Sequence, residues 1–238
     1  SRDFGGANPW YNGISKVMLA MNIGLATDLW GDVPFSEAGQ GETGNLSPAY
    51  DKQEEVIKEI QKTLDDAILA LQMPEASNAL FPGSDDLIFG GDADAWIRTA
   101  YALKARYANR LSEVNAGSSA TEALAALANA YTSSAEDCNM IFGAGNSQNQ
   151  WSAYEGSRAG YIRVSETFVD ALFNTTDPRL AVLVGKDAND SISGTPFDDV
   201  DVTSTSYLSD YYASPSSSIP LVSYVEMKFI EAEAMLRA

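Results

Sequence analysis

The chain has 238 residues, 45% of them hydrophobic, enough apolar material for a packed core in one large domain or two smaller ones. Its 33 acidic residues against 15 basic ones leave a formal net charge of -18, a field that repels phosphate backbones and sets nucleic acid aside as a partner. Histidine is absent and Cys138 is the one cysteine, which removes imidazole triads, His-rich metal sites and any internal disulfide.

In chain order, Ile14, Val17, Met18, Met21, Leu25, Ala26 and Leu29 recur at helical spacing and form the expected buried face of a first helix. That helix runs into TDLWGDVPFSEA (residues 27 to 38), where Trp30 closes the face, Gly31 caps the end and Pro34 blocks continuation. In this reading Trp30 braces the following loop and Asp32 accepts backbone N–H groups of the turn. GQGETGN is a loop, after which Asp51 and Glu54 stand in capping-box register at the head of DKQEEVIKEIQKTLDDAILAL. Val56, Ile57, Ile60, Leu64, Ala67, Ile68 and Leu71 make one apolar stripe on that helix. MPEASNALFPGSDDLIFGGD is turn-rich and holds Leu87, Ile88 and Phe89 in an expected extended strap.

DADAWIRTAYALKARYANRLS is helical again, with Asp92 as its cap and with Trp96, Ala100, Leu103, Tyr107 and Leu111 on one side. Trp96 and Tyr107 are therefore core residues. Ser119 and Glu122 are in capping-box register for the next helix, around TEALAALANAYTSS. Amphipathic helices in pairs, with small residues at the crossings, are the pattern of helical-hairpin repeats. From Glu136 to Gly160 the chain changes to Gly, Asn, Gln and Ser interleaved with aromatics, a composition of loops that carry function. A helix resumes at Ser165, TTDPRL makes a turn, residues 185 to 219 are irregular, and a last helix begins near Val222 with Glu226, Phe229, Ala232, Ala234 and Leu236. The chain opens without an initiator Met or signal peptide and closes on FIEAEAMLRA, inside a helix with no exit turn, so a fragment of a longer protein is expected.

TDLWGDVPFSEA resembles the opening signature of the SusD/RagB-like family of Bacteroidetes outer-membrane nutrient-binding lipoproteins, in its second SusD-like subgroup. YDKQEEVIKEIQKTLDDAILAL, DDLIFGGDADAWIRTAYALKARYANRLS, GSRAGYIRVSETFVDAL, TTDPRL and SYVEMKFIEAEAMLRA agree with it in the same order, over nearly the whole chain. The resemblance implies a mainly α fold of tetratricopeptide-like helix pairs, with an irregular, loop-rich ligand face and little β. Residues 1–238 are then a single SusD-like domain, lacking the N-terminal lipid anchor and the C-terminal portion. It implies a non-enzymatic lid on a TonB-dependent, SusC-like barrel transporter, lipid-anchored in the outer membrane and facing the cell exterior. The ligand would be an oligosaccharide or, in the alternative, a peptide. A glycoside hydrolase is the rival class, because 33 carboxylates supply many pairs.

Sugar binding needs flat apolar rings against C–H faces and amides or Arg for hydroxyls, and the stretch from Gln148 to Tyr161 has both. Trp151 and Tyr154 are the candidate stacking residues, with Gln148, Asn149, Gln150 and Arg158 as hydrogen-bonding partners. The open alternative is that Trp151 anchors a long loop and Arg158 pairs with a carboxylate. Tyr211 and Tyr212, with Tyr207, form a second candidate cluster, and Trp10 with Tyr11 a third. Asp198, Asp199 and Asp201, with Asp187 and Asp190 upstream, are candidate ligands for a structural calcium ion, although the spacing of a Ca-binding loop is absent and a solvated acidic loop is the alternative. No other cofactor is expected.

Overall fold

The computed structural model describes residues 7–143, 145–198 and 204–238. Its helices are α1 (Pro9–Trp30), α2 (Gln53–Leu71), α3 (Ala93–Asn109), α4 (Ala116–Leu127), α5 (Gln150–Ser157), α6 (Glu166–Asn174), α7 (Leu180–Leu183), α8 (Asp210–Ala213) and α9 (Tyr224–Arg237). Strands β1 (Cys138–Met140) and β2 (Ile219–Val222) pair as a two-stranded sheet, so the protein is mainly α with little β, as expected. The chain divides into two compact units, one running through Cys138 and resuming at Leu221–Ala238, the other Asn139–Pro220.

In the first unit α1 packs on α2, α2 on α3, α3 on α4 and α4 on α9, the serial neighbour packing of helical-hairpin repeats. The stripe on α2 is buried as its periodicity predicts, and Trp96 and Tyr107 of α3 are in the core at 0% and 1% exposure. Asp92 caps α3 through the Ala95 N–H. Arg106 fastens α3 to α9, with both Glu226 carboxylate oxygens 2.5 Å from its guanidinium and the Leu221 carbonyl at 2.9 Å.

The first helix departs from the expected face. Its buried residues are Gly13, Ile14, Val17, Ala20, Gly24 and Thr27, whereas Met18, Leu25, Leu29 and Trp30 are exposed. The reason is close approach. A Cβ on Gly13 would lie 2.5 Å from Leu71 Cγ, and one on Gly24 would lie 2.0 Å from the Tyr107 ring. Small residues let α1 lie against α2 and α3, with Ile14 and Val17 beside them, and Met18, Leu25, Leu29 and Trp30 turn outward.

Trp30, 73% exposed, does not close the face. Gly31 does end the helix, at φ 74°, with its N–H on the Thr27 carbonyl. The loop after it is held by two carboxylates. Asp32 accepts from Gln53 N and Lys52 Nζ, so it ties the loop to the head of α2 rather than to its own turn. Asp51, expected in a capping box, instead accepts from Phe35 N, Ser36 N and Ser36 Oγ. The second expected capping box also gives way: α4 starts at Ala116, and Ser119 lies inside it, its hydroxyl donating to the Ala108 carbonyl across the α3–α4 contact.

The segment at Leu87–Phe89 is a turn rather than an extended strap. Asp86 organises it by accepting from Ile88 N, Phe89 N and Gly91 N, and from the buried Trp96 indole at 2.7 Å. Phe89 meets the Trp96 ring edge-on, 5.2 Å between centroids.

Cys138 is fully buried, and burial pushes its thiol up to about 12. It is expected to react with a thiol reagent at pH 8 at a rate set by unfolding, and fast labelling of the native protein would contradict that burial.

The second unit has a small core of Val164, Val169 and Val184, with Leu180, Leu183, Ile192 and Leu208 packed on it. Single bridges, Ser165 with Thr195 and Val184 with Leu208, pin its loops together. A helix does resume at Ser165, which is the cap of α6 and accepts from Phe168 N. In the TTDPRL turn the Arg179 guanidinium and backbone N–H hold the Asp177 carboxyl at about 2. A carboxylate pKa below its unfolded value stabilises the turn fully above pH ~4 and loses that contribution as pH falls toward 2. NMR titration of the Asp177 carboxyl should therefore find its midpoint well below those of exposed aspartates; a midpoint near 4 would show that the pair does not form in solution.

Candidate functional site

The sequence-nominated residues of both the 148–161 stretch and the tyrosine cluster lie in the second unit. Asn149 is the hinge of their arrangement. It is 0% exposed, caps α5 through the Trp151 N–H at 2.8 Å, and donates to the carbonyls of Tyr212 and Ser217 at 3.1 and 2.7 Å. Its own N–H reaches the Pro215 carbonyl at 2.8 Å. With every amide atom engaged internally, Asn149 holds α5 and the segment around α8 in register and offers nothing to a ligand. Replacement by Ala should leave the two carbonyls unpaired and lower stability by about 3 kcal/mol, read as a shift of the urea midpoint.

That register brings Trp151 and Tyr212 to one cavity of about 400 Å³. Ile162, Val164, Phe168, Leu183 and Leu208 complete its apolar wall, and Arg163 and Ser165 are its polar members. Trp151 is 36% exposed, and its carbonyl accepts from the Tyr207 hydroxyl at 3.0 Å. Tyr211 sits edge-on to Tyr212, 4.8 Å between centroids, and is itself exposed. The cavity lining thus combines aromatic and aliphatic side chains.

Arg163 is nearly buried, and its position is determined on several sides. Nη1 donates to Glu155 Oε1 and to the Ile162 carbonyl, each at 2.9 Å, and the guanidinium lies 5.6 Å from the Tyr207 ring centroid. Burial, then the Glu155 carboxylate, push the Tyr207 phenol up. Glu155 Oε2 is buried without a hydrogen bond. Among the described residues no Asp or Glu lines the cavity itself.

The remaining candidates fall elsewhere on this unit. Tyr154, one turn beyond Trp151 on α5, is 37% exposed and lies outside the cavity wall. Arg158 is exposed at the end of α5, over the Tyr161 ring at 5.8 Å. Gln148 is half-buried just before α5. Trp151, Tyr154 and Tyr161 are all exposed.

In the first unit Trp10 and Tyr11 serve as braces. The Trp10 indole donates to the Met73 carbonyl at 3.0 Å and the Tyr11 hydroxyl to Asp85 at 2.7 Å. Asp198 is exposed, while Asp199 and Asp201 lie outside the described residues. Asp187 spends its oxygens on Asn189 N, Ser191 N and Ser193 Oγ, and Asp190 pairs with Lys186. Among the described residues no three Cys, Asp or Glu side chains are grouped to hold a metal ion.

Sequence reading did not nominate Arg163, Phe168, Leu183 or Leu208. The alternation of apolar residues in YIRVS was the available signal, since Ile162 and Val164 flank Arg163 there.

A serial array of helix pairs, together with a loop-rich unit that carries an aromatic-lined apolar cavity, defines a helical-repeat protein with a loop-borne candidate site. The chain belongs to the second SusD-like family, described as starch-binding and associating with the outer membrane, whose profile matches residues 3–238. No curated protein matches it. Among solved structures it is similar to a SusD/RagB family protein from Bacteroides thetaiotaomicron, at 29% identity and TM-score 0.82 over 97% of this chain and 50% of that one. A chitin-binding protein matches at 26% identity and TM-score 0.79, over 98% of this chain and 53% of its own. A chitin-binding SusD homolog from Flavobacterium johnsoniae shares the fold at 24% identity and TM-score 0.82, over 97% and 48%. The chain spans about half the length of these relatives.

Proposed function

We propose that the protein captures an oligosaccharide at the outer face of the outer membrane and passes it intact to a TonB-dependent barrel, acting as the barrel's lid. The observation that carries the binding part is the meeting of Trp151 and Tyr212, from separate segments, in the wall of one cavity of about 400 Å³. Rings in such a position take the C–H face of a sugar. Family membership supports glycan as the ligand class, and so does the chitin-binding relative at 26% identity.

Binding without bond cleavage is favoured over hydrolysis because the cavity wall carries no carboxylate pair among the described residues, and Glu155, near Arg163 of that wall, is engaged by it. Attachment through an N-terminal lipid is part of the proposal, supported by membership of a family described as associating with the outer membrane. A lid of this kind works by differential affinity, the ligand favouring the closed state through contacts that exist only when lid and barrel meet.

The test is calorimetric titration of the protein with neutral oligosaccharides and with peptides, followed by chromatography of the recovered ligand. Saturable glycan binding with unshortened ligand is expected. Shortened products would turn the reading to a hydrolase, and binding of peptides alone would turn it to a peptide lid.

A further inference from the structure

Resting on that reading of the site, we infer that Tyr207 and Glu155 are positioning residues, which set where Trp151 stands in the cavity wall without themselves touching a ligand there. No residue of α5 is buried, so apolar packing holds this helix weakly and its polar ties decide its place. Asn149 holds the first turn. Two further side chains reach α5 from other segments of the same unit. The Tyr207 hydroxyl donates to the Trp151 carbonyl at 3.0 Å, and Arg163 Nη1 donates to Glu155 Oε1, one turn further on, at 2.9 Å.

Both ties start from braced backbone. Val164 N donates to the Ser206 carbonyl, Thr195 N to the Val164 carbonyl, and Gly185 N to the Tyr207 carbonyl. The Arg163 guanidinium lies 5.6 Å from the Tyr207 ring centroid, so the two ties share one base. Trp151 and Arg163 belong to the cavity wall, whereas Glu155 and Tyr207 do not. What the latter two contribute to binding therefore passes through the neighbours they hold. Such an effect has a ceiling: a residue acting through Trp151 costs no more affinity than loss of the Trp151 ring itself, about tenfold.

The test has a ligand-free arm. With 5-fluorotryptophan incorporated, the 4 tryptophans give separate fluorine resonances, and the one lost in Trp151→Phe is that of Trp151. It should shift in Tyr207→Phe, which keeps the ring beside Arg163, and in Glu155→Ala, while those of Trp10, Trp30 and Trp96 in the first unit stay. Glu155→Gln, which keeps an oxygen toward Arg163, should leave it near its wild-type position. The binding arm is calorimetry with maltohexaose and chitohexaose. Tyr207→Phe should weaken the sugar that binds by about fivefold, the scale of one hydrogen bond, and by no more than about twofold when Trp151 is already Ala.

A Trp151 resonance unmoved in both variants, or a Tyr207→Phe loss that persists without the Trp151 ring, would overturn the inference and leave glycan capture standing. Failure of both sugars to bind, with the resonances shifted as expected, would overturn glycan capture and leave the positioning of Trp151 in place.

Discussion

Trp151→Ala combined with Tyr212→Ala is expected to weaken glycan binding by about a hundredfold while the far-ultraviolet circular dichroism of the protein is unchanged. Aromatic side chains at the centre of a binding patch typically cost 1 to 2 kcal/mol or more when truncated, and about 1.4 kcal/mol is a factor of ten in affinity. Both rings stand partly in solvent, so their removal costs the fold little. The comparison that gives the result meaning is Tyr154→Ala. Tyr154 shares α5 with Trp151 but lies outside the cavity wall, and its loss should change affinity less than threefold, roughly the scatter of rim contacts. If Tyr154→Ala were the damaging change and the double variant were harmless, the ligand would lie along the outer face of α5 and the cavity would be incidental.

Gly24→Val is expected to be the most destabilising single substitution on α1. A Cβ there lies 2.0 Å from both Cζ and the hydroxyl oxygen of Tyr107, which is 1% exposed and whose hydroxyl donates to the Met21 carbonyl. Neither the ring nor the helix backbone can yield without loosening α1 from α3, so a cost of about 3 kcal/mol or more is expected. In a chain of this size that lowers the melting temperature by about 10 °C. Gly24→Ala should show a smaller loss in the same direction, and adding Tyr107→Phe to it should recover part. Wild-type melting of the Val variant would mean that α1 does not approach α3 this closely.

Much of the helical array was legible in the sequence because periodicity is a local signal. The stripe on α2 and the Trp96 to Tyr107 face of α3 follow directly from i, i+3 and i+4 spacing, and Asp92 and Ser165 are where cap residues belong. The face of α1 was not, since hydrophobicity scales weigh Leu25 and Leu29 above Gly13 and Gly24, whereas backbone proximity selects the glycines. Capping boxes failed for a similar reason. Asp51 and Ser119 found partners distant along the chain, in the Phe35–Ser36 backbone and the Ala108 carbonyl, and tertiary hydrogen bonds took priority over local ones.

The aromatic members of the candidate site could be named from composition, because Trp and Tyr in an amide-rich loop are visible in the sequence. The cavity could not. Its wall is assembled from Trp151, the Ile162–Ser165 run, Phe168, Leu183, Leu208 and Tyr212, and nothing in their spacing announces that they converge. Asn149 shows the opposite error: its type suits a sugar hydroxyl, yet its surroundings commit it to Trp151, Tyr212 and Ser217. A polar residue's chemistry is readable in sequence; whether it is already satisfied is a property of the fold.

The most direct test of the account is a crystal structure of the protein with the glycan that calorimetry finds tightest. The account predicts a sugar ring against Trp151 and Tyr212, in the cavity that Phe168 and Leu208 also line. Density for the glycan at Trp10, or along α5 away from the cavity, would contradict it.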